Sequence, residues 1–586
     1  VIRIRELLRD QLRRVPTLER HARLLARRRR LATEQPDWTA IIGPERPAWD
    51  QAVAAARGGS RVLMATSVGS HLAGTSLESA LAAALTLRGA EVDVLLCDSM
   101  LPACLAADVT WYPNQSQFAR HGPSKDLCHG CFESGAAVFR ALGIRVRTYG
   151  EYLANDDRKL AASLAAEVPL AEIPAYTFDG IAVGEHALAG ALRFYARAAL
   201  DGEPEAEAVL RRYFGAALLT SFATRALLRD VPYEVAVFHH GIYVPQGLIG
   251  ECCRQAGVRV VNWNPAYRKQ CFIFSHGDTY HHTLLAEPTE SWEGMRWSKR
   301  LEAGLLEYLE SRWHGTQDWI WFHDRPMADL QRIAREVGAD FSKPCVGLLT
   351  NVMWDAQLHY PANAFPTMLE WVLSTIEWFA RRPDLQLIIR VHPAELSGSL
   401  VSRQPIEAEI RKRFPTLPPN VFIIGPESQV STYAVMSRCN AVLIYGTKTG
   451  VELTSIGIPV IVAGEAWIRN KGLTMDAATA ADYFAILERL PLSAGMSEAQ
   501  VERARRYAFH FFFRRMIPLE FMQPSKEDVP YRLGLQSFRD LAPGRSRGLD
   551  VICDGILFDR PFTYPAETET STENETAKIL ASAPAQ

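Results

Sequence analysis

Between residues 345 and 462 the chain alternates five short apolar runs, at 346–349, 385–390, 421–424, 441–445 and 459–462, with helical patterns at 365–380, 405–413, 430–438 and 450–456. Runs this short with no polar face are strands covered on both sides, and strands that alternate with helices pair in parallel through right-handed crossovers. The prediction for this half is a doubly wound α/β sheet. The pattern also occurs earlier, as a strand at 61–67, a loop at 69–74, an alanine-rich helix at 77–88 and a strand at 91–97. An Ala/Leu-rich helical stretch at 158–229 follows, then strands at 235–238 and 258–262 around a His-rich loop. The expected fold class is therefore α/β, with two Rossmann-like domains facing a cleft and a helical insertion in the first. Open sheets of this kind bind ligands beyond the carboxyl ends of their strands.

The run Tyr445-Gly446-Thr447-Lys448-Thr449-Gly450-Val451-Glu452 sits at such an end. Gly446 and Gly450 let main-chain N–H groups approach an anion, and Thr447, Lys448 and Thr449 surround the start of the next helix. The spacing is not that of a Walker loop, so the turn indicates a nucleotide or sugar phosphate without choosing between them. Thr449-x-x-Glu452 also reads as a capping box, as does Thr75-x-x-Glu78.

A formal net charge of −2 argues against a nucleic-acid partner. The first thirty residues are different, with eleven arginines against Glu6, Asp10 and Glu19 on an amphipathic pattern that suits an acidic membrane surface or a solvated helix. No apolar run reaches the roughly 18 residues of a membrane span, and no secretory h-region is evident. The expected location is the cytoplasm, at the inner membrane face if the arm docks there. Of the ten cysteines, Cys97, Cys104, Cys128 and Cys131 cluster in sequence. They are candidates for a structural zinc or four free thiols, the second pair having the better metal spacing.

Arg390-Val391-His392-Pro393 after a strand, Ser428 and Ser431 before a helix, the Gly446–Glu452 turn and Gly457-Ile458-Pro459 together resemble the GT-B glycosyltransferases of bacterial capsule polysaccharide synthesis, especially the Kdo-transferase-like group. The resemblance covers roughly residues 340–495; the first half matches only in general pattern. It implies transfer of a sugar from a nucleotide-sugar donor, CMP-linked in one reading, to a surface polysaccharide or glycolipid. No cofactor would be needed for the chemistry. Arg390, His392, Ser428, Ser431, Gly446, Thr447, Lys448, Thr449, Gly450 and Glu452 would hold the donor, with His392 at the phosphate and Glu452 at the ribose. The division it suggests is a basic arm at 1–45, an acceptor domain at 46–335, a nucleotide-sugar domain at 336–495, a helix returning to the first domain at 496–564 and a disordered tail at 565–586.

The loop from His239 and His240 to Gly247 follows a strand and precedes a helix, which turns it toward the cleft. His239, Tyr243, Trp263, Asn264, Tyr267 and Arg268 are the acceptor candidates, offering aromatic faces with polar handles, and the cluster from His276 to His282 adds donors without a metal spacing. An inverting reaction needs a base for the acceptor hydroxyl, and His71, Glu78, Asp98 and His240 are the candidates beside the catalytic His392. Two other readings stay open: transfer of glycerol phosphate from a CDP-linked donor, and a non-catalytic glycan-binding scaffold.

Overall fold

The computed structural model describes residues 33–313, 318, 326–356, 361–398, 400–525 and 531–571, with Ala26, Arg30 and Leu31. The basic arm otherwise lies outside the described residues, as does the tail from 572. Residues Ala566–Ser571, expected to be disordered, form a 3-10 turn.

The first sheet holds β1 (Arg61–Ser67), β2 (Glu91–Leu96), β3 (Arg145–Thr148), β4 (Val235–His239), β5 (Arg259–Pro265) and β6 (Cys271–His276). The second holds β7 (Cys345–Leu349), β8 (Gln386–Arg390), β9 (Val421–Ile424), β10 (Ala441–Ile444), β11 (Val460–Val462) and β12 (Met475–Asp476). A short β13 (Ile517–Pro518) returns to the edge of the first sheet. The strand orders are β3-β2-β1-β4-β5-β6-β13 and β9-β8-β7-β10-β11-β12. All pairs are parallel except those that β6 makes with β5 and β13. Each order reverses direction once, between β1 and β4 and between β7 and β10, and the crevice of a doubly wound sheet opens at that reversal.

The helix after β1 runs Leu72–Thr86 rather than starting at 77, and all fifteen of its residues are buried. A Cβ at Gly74 would lie 2.7 Å from His71 Nδ1, so the glycine leaves room for the His71 ring against the first turn. Residues Arg46–Ala55 form a helix, pinned by the Trp49 indole donating to Leu142 O at 3.0 Å. Between β3 and β4 lie helices Asn155–Glu167, Val183–Tyr195 and Ala206–Asp230.

One apolar cluster joins the two sheets: Val62 and Met64 of the first and Val442 and Ile444 of the second meet through Phe509, Phe511 and Phe512. Those aromatics end the helix Glu498–Phe509 and its continuation His510–Arg514, which lead the chain back to β13. Polar ties fix the domains as well. Tyr243 Oη donates to Asp355 at 2.8 Å and accepts from Ala356 N at 3.0 Å, and Arg403 reaches Glu203 at 3.1 Å. Among the described residues no helix is long and apolar enough to cross a membrane.

Candidate functional site

The two reversals face each other across a cleft of about 450 Å3. From the second sheet come Leu349–Val352 at the end of β7, Arg390 and His392 at the end of β8, Ser431 to Tyr433, and the turn Tyr445–Thr449 after β10; from the first come His240, Tyr267 and His281. The turn 446–449 is half-buried and opens into the cleft.

The turn works differently from the sequence expectation. Its helix, Thr449–Ser455, has only seven residues and begins with Lys448 as an N-cap that makes no side-chain capping bond. So short a helix has little macrodipole to offer, and the 449–452 capping box does not form. Gly446 N donates to Asn351 Oδ1 at 3.3 Å, and Thr449 N to Thr447 Oγ1 at 3.3 Å. The charges are side-chain charges. Lys448 Nζ lies 2.8 Å from Glu452 Oε1 and 4.5 Å above the Tyr267 ring. Glu452 Oε2 accepts from Tyr433 Oη and stands 3.3 Å from Arg312 Nε. Burial raises the Glu452 carboxyl, but Arg312 and Lys448 outweigh it and hold it at about 2. Burial, then repulsion from Arg312, lowers Lys448.

His392 Nδ1 accepts from Ala394 N at 3.1 Å, which leaves the ring proton on Nε2 as a donor. Burial, with Lys448 and Arg390 adding repulsion, brings it down to about 4, so it is a neutral hydrogen-bond donor at pH 7. Arg390 shapes the loop before Ser431: its guanidinium donates to Gly425 O, to Ser428 O at 3.1 Å and to Thr432 Oγ1 at 3.3 Å. Ser431 caps its helix through Ala434 N, and Ser428 binds Val430 N without reaching the cleft. Gly450 is buried behind the turn.

On the first sheet, His240 and Gly241 both take positive φ, 67° and 79°. A non-glycine residue held there costs on the order of 1–3 kcal/mol, and that conformation directs His240 into the cleft wall. His71 and His239 lie behind it, with ring centres 4.8 Å apart and planes tilted by 46°, and the His239 ring centre lies 4.7 Å from that of Trp263. Burial brings His71 and His240 to about 4 and His239 well below its usual value. Asp355 opposes the shift at His240.

Several expected site residues are elsewhere. Asp98 accepts from Gly150 N at 3.1 Å and shapes the turn after β3. Trp263 is fully buried and its indole donates to Glu78 Oε1 at 2.8 Å, while Asn264 is 5% exposed, so neither offers a face to a sugar. Arg268 donates to Phe512 O at 3.0 Å and stacks 4.3 Å over Phe513, inside the domain junction. Thr75 is interior to its helix, capped by His71, so the 75–78 capping box is also absent. Cys97 has Cys104, Cys131 and Cys128 as neighbours, burial being the main cause of its raised pKa. Yet among the described residues no three His, Cys, Asp or Glu side chains are placed to hold a metal, and Ser70 N donates to Cys131 Sγ. Among the described residues the four cysteines expected for zinc do not form such a set.

Sequence reasoning missed Arg312, in the helix Lys299–Trp313 that leads from the first domain to the second, and the cleft residues Asp355, Glu465 and Trp467. Nothing in the spacing marks Arg312; the Lys448–Glu452 pair was legible as an i,i+4 pair.

Two Rossmann-like sheets with their reversals across one cleft define the GT-B architecture. Within it, residues 328–502 match the model of the family described as capsule polysaccharide biosynthesis protein. Among solved structures, the chain is similar to KpsC beta Kdo 2,4 transferase of Thermosulfurimonas dismutans, at 12% identity and TM-score 0.33 over 48% of this chain and 88% of that one. The beta Kdo 2,7 transferase of the same KpsC aligns at 14% and 0.30 over 55% and 88%. A Neisseria meningitidis UDP-GlcNAc 2-epimerase bound to UDP-GlcNAc aligns at 10% and 0.25 over 76% and 94%. No curated protein matches the chain.

Proposed function

We propose that the protein is a glycosyltransferase that moves a sugar from a nucleotide-sugar donor to a capsule-type polysaccharide or glycolipid. The observation that carries this reading is the pairing of the 446–449 turn, with Lys448 and His392 beside it, against His240 on the opposite sheet of the same cleft. The family match over 328–502 supports it.

In this reading the donor phosphate rests against the turn, near Lys448, with His392 donating from Nε2. As the bond between the anomeric carbon and the phosphate oxygen breaks, charge gathers on that oxygen, where preorganised donors contribute most. The acceptor hydroxyl oxygen bonds to the anomeric carbon and its proton passes to His240, neutral and ready to take it, with Asp355 stabilising the imidazolium that forms. The test is calorimetry against CMP, UDP and GDP, followed by mass analysis of products formed from the bound nucleotide's sugar conjugates. One nucleotide should bind at micromolar affinity and its sugar should appear on a glycan acceptor. Binding of none removes the transferase reading, and a product heavier by a glycerol phosphate, formed from CDP-glycerol assayed in parallel, replaces sugar transfer with glycerol phosphate transfer.

A further inference from the structure

Arg312 is the most heavily invested cation in the cleft, and neither the family-like motifs nor the turn accounts for it. It stands at the end of the helix Lys299–Trp313, outside the matched segment 328–502, yet forms part of the cleft wall. Its side chain is only 5% exposed. Its guanidinium carbon lies 5.8, 5.7 and 5.3 Å from the ring centres of Tyr267, Tyr308 and Phe512. Nη1 donates to Tyr308 Oη at 2.9 Å and to Asp318, and Nε lies 3.3 Å from Glu452 Oε2. These partners restrain a planar cation, and the Tyr267 ring is shared with Lys448.

We infer that Arg312 is a donor-phosphate ligand, brought to the second domain's nucleotide site by the first domain's last helix. The inference rests on the transferase reading above. Glu452, with Lys448 on one oxygen and Arg312 near the other, keeps both cations at the turn. An incoming phosphate competes for them, and the carboxylate they release is the group that can accept both hydroxyls of a ribose. Guanidinium suits this task better than ammonium, because its planar fork meets two phosphate oxygens at once while its face stays on the aromatic rings. The arrangement also joins donor binding to the domain interface, since the cation and the turn come from different domains.

The experiment compares a nucleoside with its phosphorylated form. Binding of CMP, UDP and GDP, and of cytidine, uridine and guanosine, is measured by calorimetry on the full chain and on Arg312→Lys. The expected result is at least a tenfold loss of affinity for the nucleotide the protein binds, with the nucleoside unchanged. Equal losses for nucleoside and nucleotide make Arg312 only a support for Glu452 and overturn the inference, as does no loss. If the lysine variant does not fold, Arg312→Gln with Asp318→Asn removes one charge of each sign, and the same selective loss is required of it. Should the unaltered protein bind no nucleotide, the transferase reading fails first; binding that Arg312→Lys leaves intact fails the inference alone.

Discussion

Glu78 and Glu452 are both buried glutamates in the helix that leaves a strand at the sheet's reversal, 1% and 4% exposed, yet their proton affinities are shifted in opposite directions. Burial pushes Glu78 up to about 7, opposed only by hydrogen bonds such as those from the Trp263 indole and the His239 main chain. Glu452 stays at about 2 because Arg312 and Lys448 face it. Pairing, rather than burial, decides the charge. The two cleft walls follow the same division. The donor wall is charged and internally compensated, as suits an arriving phosphate. The first-domain wall presents His240 and His281, with His71 and His239 behind His240, all kept neutral by burial, as suits a hydroxyl that must lose a proton.

The largest effect should come from breaking the charged wall. Glu452→Gln leaves Lys448 and Arg312 with a neutral amide, and removing one member of a buried ion cluster costs about 3–5 kcal/mol. Denaturant unfolding should show that loss as a lower midpoint at an unchanged slope. A loss under about 1 kcal/mol would mean that the cations find other partners and that compensation is not what shapes this wall.

On the neutral wall the corresponding change acts on rate. His240→Ala should lower transfer by about a hundredfold or more, the usual contribution of a general base, while nucleotide affinity stays within about twofold. A rate near that of the unaltered protein would move the base elsewhere in the cleft and leave the positive φ at His240 without a catalytic reason.

Much of this was legible in the sequence. Mostly apolar runs marked nine of the strands because burial on both faces leaves no alternation to misread, and Gly446–Thr449 marked the donor wall. The short or polar strands β3 and β12 carried too little pattern to see, and β6 and β13 pair antiparallel outside the alternating rule. Trp263 and Arg268 were misplaced because a polar atom on an aromatic or a long side chain satisfies a buried partner as readily as a ligand. Arg312 was invisible for a related reason: its partners, Glu452 and Asp318, come from distant positions or an unpatterned segment, so only the fold brings them together.

Glu78→Gln isolates the smallest effect and the clearest sign. In the folded protein Glu78 holds its proton up to about pH 7, whereas an ordinary carboxylate releases it near 4.5. Between those values the folded state binds more protons than the unfolded state, so stability from this group is present below pH 4.5 and lost as pH rises to about 7. Glutamine keeps an oxygen for the Trp263 indole and never ionises. The variant's advantage over the unaltered protein should therefore be small near pH 5 and grow to on the order of 1–3 kcal/mol at pH 8. The histidines work in the other direction: His71, His240 and His392, at about 4, withdraw stability as pH falls from 6.5 toward 4 in both proteins alike. Taking the difference between the two proteins at each pH cancels their contribution. A difference that stays flat from pH 5 to 8 would show Glu78 ionised throughout, and the contrast with Glu452 would collapse into two paired carboxylates.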